Sequence, residues 1–150
     1  MMTKLEEPQF MRTRSPIAVL GIDPGITTGW AILRLSDRKL LFSGESDEED
    51  VGQQLDYAVR HAHGDGYRIE VVVERMPPGR PGPLAQRLEV VRRSILRVVD
   101  ETYALKVSWV RPSDWKTSRV AKENRGLRRM SRHSRDAFLM ALFFYEGRTW

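Results

Sequence analysis

Two short apolar runs that stop on acidic residues constrain this chain more than any other feature. Ile17 to Ile22 is rich in β-branched residues and ends at Asp23-Pro24-Gly25, and Val71-Val72-Val73 ends at Glu74. A strand with one wet face alternates apolar and polar side chains, so an unbroken run predicts a strand covered on both faces. Helices must supply that cover, which points to an α/β architecture.

The rest of the chain provides the elements. Gly29 to Leu35 resumes strand character, and Lys39 to Ser43 reads as a third strand after the turn Ser36-Asp37-Arg38. The chain therefore opens on an antiparallel meander. From Asp50 to His61, Val51, Leu55, Ala58 and Val59 recur at helical spacing, and His63-Gly64-Asp65-Gly66 ends the element. Arg68 to Val73 is the fourth strand. Met76 to Pro83 holds four prolines and two glycines, so neither helix nor strand passes through it. Leu84 to about Thr102 reads as one long helix with Leu88, Val91, Ile95, Val98 and Val99 on its apolar face. Lys106 to Val110 is the fifth strand. Ser113 is the expected cap of a short turn through Lys116, and Ser131 that of a final helix buried through Ala137, Met140, Ala141 and Phe144. The prediction is a five-stranded mixed sheet, its first three strands antiparallel, flanked by helices.

At 150 residues and 41% hydrophobic content, the chain is long enough for one compact domain, expected over 16–150, behind a flexible arm at 1–15. With no cysteine, thiolate nucleophiles, disulfides and cysteine-ligated metals are excluded. No apolar run nears the roughly 20 residues of a membrane span. The first ten residues, with Glu6, Glu7 and Pro8, lack a signal peptide's apolar centre. A cytoplasmic protein of a bacterial cell, or of a virus-infected one, is expected, with no membrane partner.

The net charge of +5 and a pI near 9.9 favour a polyanionic partner. The charge is concentrated: Arg111 to Arg135 holds nine basic residues against two acidic ones, so that segment carries +7 and the remainder −2. Lys116, Arg119, Lys122, Arg125, Arg128 and Arg129 are the expected phosphate contacts, which confer salt-dependent affinity without base specificity. Trp109 and Trp115 could stack on exposed bases, but each reads first as a core or anchoring residue.

Asp23, Glu74 and Asp136 are the residues that such a sheet brings together. If the first and fourth strands are parallel neighbours, Asp23 and Glu74 share the edge where open α/β sheets place their sites. His133 precedes Asp136 by three residues, which sets both on one helical face. Singly, each has an ordinary explanation as a turn, a strand end or a helix-terminal acid. Jointly they suit phosphodiester chemistry, because hard divalent cations take oxygen ligands and two such ions can activate water and stabilise a leaving oxygen.

The run Val19 to Ala31, which includes Gly21-Ile22-Asp23-Pro24-Gly25, resembles the first motif of the RuvC-type Holliday-junction resolvases of the ribonuclease H-like superfamily. Val71-Val72-Val73-Glu74 is similar to their second motif and His133-Ser134-Arg135-Asp136-Ala137 to their last, in its histidine-bearing variant. The resemblance implies a ribonuclease H-like fold and a crossover-junction endodeoxyribonuclease of DNA recombination and repair. Two Mg2+ or Mn2+ ions would be held by Asp23, Glu74, His133 and Asp136, with Lys116 on phosphate and a homodimer acting on branched DNA.

The sequence departs from that pattern after Glu74. The family has an aromatic residue in the following loop, whereas Arg75 to Pro83 has none. Fork and flap cleavage, or an RNA-directed nuclease on the same fold, therefore stay open beside junction resolution. From a different class, Gly21 to Gly29 also resembles the phosphate loop of actin-like ATPases. Those proteins close two domains over the nucleotide, and this chain is too short for both.

Overall fold

The computed structural model describes residues 15–76, 79–116 and 130–146. Five strands form one sheet in the order β3-β2-β1-β4-β5. The strands are β1 (Ile17–Asp23), β2 (Thr27–Arg34), β3 (Leu40–Asp47), β4 (Arg68–Glu74) and β5 (Lys106–Val110). β2 runs antiparallel to both β1 and β3, while β1, β4 and β5 are mutually parallel. The predicted mixed sheet with its antiparallel start is what forms.

The unbroken apolar runs have the expected cause, since both faces of the central strands are covered. On one face Leu20, Ile22, Ile32, Val71 and Val73 pack against α1 (Val51–Gly64) and α2 (Pro83–Leu96). On the other, Val19, Ala31, Leu33, Val72 and Val110 pack against α4 (Arg132–Glu146) and Trp115 of the short α3 (Pro112–Trp115).

Three local expectations need correction. β3 continues four residues past Ser43, because Gly44 to Asp47 pair with Thr27 to Trp30 although their side chains are largely polar. Backbone pairing needs no apolar face on an edge strand. The long helix is α only to Leu96 and then widens into a π-helical turn over Arg97–Thr102, where Tyr103 N–H donates to Val98 O across five residues. Finally, α3 begins at Pro112 with Arg111 as its cap, not Ser113. Proline suits the first helical position, and Asp114 accepts the Arg111 backbone N–H at 3.3 Å.

Ser131 does cap α4: its hydroxyl accepts the Ser134 N–H at 3.4 Å, and the Ser134 hydroxyl donates back to Ser131 O at 3.1 Å. The expected arm lies outside the described residues apart from Ser15. Among the described residues no helix is long and apolar enough to cross a membrane.

Candidate active site

β1 and β4 are adjacent and parallel, so Asp23 and Glu74 finish their strands at the same edge of the sheet. Strand alternation puts both on the α4 face, in the same parity as Val19 and Val72. α4 then has to bring its first turn over the end of β1, and two glycines let it do so. A Cβ on Gly29 would lie 2.1 Å from the backbone carbon of His133, and one on Gly21 would lie 2.3 Å from the Ala137 carbonyl oxygen. Backbone thus rests on backbone, and His133 is set directly beyond Asp23, whose register partner is Gly29.

In that arrangement His133 Nδ1 is 3.8 Å from Asp23 Oδ2, and Asp23 retains only 16% of its side-chain exposure. Burial, then the negative charges of Glu74 and Asp136, push the Asp23 carboxyl up to about 7, with a hydrogen bond to Glu74 adding to the effect; the Lys116 ammonium opposes it. All five expected residues described here, Asp23, Glu74, His133, Asp136 and Lys116, therefore act on one locus. Arg119, Lys122, Arg125, Arg128 and Arg129 lie outside the described residues.

Glu74 is 8% exposed, and its Oε2 accepts the Trp115 indole N–H at 2.7 Å. Trp115 is buried, as an anchor should be, and the Lys116 Nζ lies 5.8 Å from the centre of its ring. Trp109 behaves differently. It is 39% exposed and in register with Val73, whose side chain belongs to the α1–α2 face, so alternation points it away from the carboxylates.

Sequence reading missed Glu45. In β3 it stands opposite Gly29, completing a row Asp23, Gly29, Glu45 across three strands. Its carboxylate accepts the His133 backbone N–H at 3.1 Å. A hydrogen bond from Ser131 is the chief reason its carboxyl lies below the usual range, with the His133 amide and charge contributing and its slight burial opposing. Glu45 thus satisfies an amide at the start of α4 that no helical carbonyl can reach. The only hint in the sequence was an acidic residue beyond the apolar part of β3.

The donor chemistry here is that of a hard-cation site: crowded carboxylate oxygens, partly desolvated, with an imidazole beside them. Among the described residues, however, no three acidic or histidine side chains are already arranged to hold a metal ion. Burial, with the charges of Glu74 and Asp136 beside it, raises the Asp23 carboxyl, and a bound cation would relieve that cost. A hollow of about 540 Å3 lies past Glu74 along Met76, Arg80, Pro83, Leu84 and Leu88 rather than over the carboxylates.

Solved structures share this architecture. Thermus thermophilus RuvC in complex with a Holliday junction substrate superposes with a TM-score of 0.67 at 23% identity, over 89% of this chain and 96% of that one. A second Thermus thermophilus RuvC structure gives 0.62 at 21% identity, over 87% and 97%. The fold is ribonuclease H-like. No family model and no curated protein sequence matches the chain.

Proposed function

We propose that the protein is a metal-dependent endodeoxyribonuclease that cuts branched DNA, four-way junctions first among them, by two-metal hydrolysis of the phosphodiester. The observation that carries this reading is the gathering of the half-buried Asp23 with Glu74, Asp136 and His133 at the shared end of two parallel strands, a crowding that also raises the Asp23 carboxyl. A fold does not keep such repulsion in a partly desolvated place without use for it, and a divalent cation relieves it.

Asp23, Glu74, His133 and Asp136 would hold Mg2+ or Mn2+. Two bound ions supply Lewis-acid activation of the phosphodiester and of the attacking water. The protein's own groups do the remainder. Asp23 and Glu74 fix the ligand oxygens, and Asp136 extends the negative field from α4. His133, 40% exposed and next to Asp23, is placed to take a proton from water at its imidazole. Lys116, exposed at the end of α3, binds a phosphate oxygen and offsets part of the negative charge on Asp23. The basic residues from Arg119 to Arg129 would contact the DNA backbone.

Homodimerisation is part of the proposal. Leu84, which lines the hollow past Glu74, and Val90 are each 57% exposed on α2, apolar surface that suits a second copy. A fork- or flap-cutting enzyme is the second reading, favoured by the aromatic-free loop from Arg75 to Pro83.

Parallel incubation of four-way junction, fork, flap, linear duplex and RNA–DNA hybrid with Mg2+ or Mn2+ tests the assignment. Cleavage of branched DNA well above linear duplex is expected. Preference for the hybrid, or no cation-dependent cleavage of any substrate, would overturn it.

A further inference from the structure

Glu74 is the buried carboxylate at the site, and the donor that reaches it comes from an element with no acidic residue in the proposed centre. Trp115 ends the four-residue helix that follows β5, and its ring lies within the apolar cluster of Val72, Val110, Ala137 and Met140. From there the indole N–H reaches Glu74 Oε2 at 2.7 Å, a bond with both partners buried. An indole N–H donates and never accepts, so Glu74 Oε2 is the acceptor, and the bond fixes the rotation of the carboxyl plane. Oε2 thereby carries a fixed donor, and the same carboxylate hydrogen-bonds with Asp23.

We propose that Trp115 is a positioning residue that fixes the Glu74 carboxylate beside Asp23 for cation binding while its ring seats the Lys116 ammonium, coupling the cation site to the phosphate contact. The inference rests on the nuclease reading above. A carboxylate free to rotate must be ordered when a cation binds, whereas one held by a buried donor is already set. Partners of this kind, bonded to a ligand rather than to the metal, typically set affinity by roughly 10- to 100-fold. The same ring under Lys116 means that movement of α3 would disturb both contacts together.

Trp115→Phe removes the indole N–H while keeping an aromatic ring for the apolar cluster and for Lys116. Calorimetric titration of Mn2+ into wild type and Trp115→Phe is expected to show at least about tenfold weaker binding in the variant. Its cleavage should show reduced kcat with KM for DNA little changed, and excess Mn2+ should restore much of the rate. A readout independent of catalysis is the Trp115 indole 15N–1H resonance in metal-free protein. It should exchange slowly with solvent and move upfield in Glu74→Gln, where the acceptor is neutral and weaker.

Equal Mn2+ affinity in wild type and folded Trp115→Phe overturns the proposal and leaves the nuclease reading intact. Absence of Mn2+ binding by wild type overturns both. If Trp115→Phe does not fold, the indole resonance decides: a signal unmoved by Glu74→Gln, exchanging as fast as exposed Trp109, contradicts the proposal.

Discussion

The two faces of the sheet both bury apolar side chains, but they meet their helices differently where α4 begins. Against α1 and α2 the sheet presents large side chains, Leu20, Ile22, Ile32 and Val71, all essentially buried, and the helices stand off by the depth of that layer. Against the start of α4 it presents glycine, and helix backbone touches strand backbone at Gly21 and Gly29. The first face is stabilised by apolar area. The second also buries apolar side chains, Val19, Leu33, Val72 and Met140 among them, but gives up side-chain packing at Gly21 and Gly29 so that an α4 side chain can come within ion-pair distance of the end of β1.

That contrast predicts different responses to the removal or addition of one carbon. Gly29→Ala would drive a methyl group into the His133 backbone, and α4 must shift. We expect destabilisation of about 2–4 kcal/mol, as for overpacking against an unyielding neighbour, together with loss of cleavage, checked by denaturant unfolding and junction cutting. Ile32→Val on the other face should cost only about 1 kcal/mol and leave cleavage unchanged. If the two variants lose activity alike, the faces are not specialised.

Charge distinguishes the faces next. The Asp23 carboxyl is higher in the folded protein, near 7, than its ordinary value of 3.8. Its ionisation therefore costs nothing below that ordinary value, costs progressively more as pH rises toward 7, and reaches its full cost above it. In metal-free protein Asp23→Asn should then be more stable than wild type at pH 8, by on the order of 2–4 kcal/mol, and lose that advantage near pH 4. Thermal unfolding of both proteins across that range measures it. Mn2+ should narrow the gap at pH 8 by stabilising wild type alone.

How much of this was legible follows from which signals are local. The runs ending at Asp23 and Glu74 carried the parallel pair of strands, and the three-residue spacing of His133 and Asp136 carried their common helical face. Glu45 was illegible because its partner His133 is 88 residues away and depends on the β2–β3 register through residues with no apolar pattern. Trp115 was visible as a core residue, but not its bond to Glu74, since burial and hydrogen bonding of an indole look the same in a sequence. The π-helical turn after Leu96 keeps apolar residues inward, as an α-helix does, and so left no mark.

Smaller effects refine the polar face. Glu45→Ala should loosen the first turn of α4, with a loss of about 1 kcal/mol for a largely exposed charged hydrogen bond, faster amide exchange at His133 and weakened cleavage. Glu45→Gln, which keeps an acceptor oxygen, should recover most of both. Unchanged exchange at His133 in Glu45→Ala would show that the contact does not hold the helix. Neutralising Arg128 and Arg129 should have the least effect on the fold. Binding should weaken evenly across DNA sequences, and the slope of log affinity against log salt should fall by roughly two; an unaltered slope would remove both from the DNA contact.

The central claim is that the crowded carboxylates serve cation-dependent strand cleavage, and the most direct measurement compares wild type with Asp23→Asn on a labelled four-way junction in Mg2+ or Mn2+. The account predicts that wild type cuts only with the cation, and that Asp23→Asn binds the junction but leaves it intact. Cleavage by Asp23→Asn at the wild-type rate would contradict it.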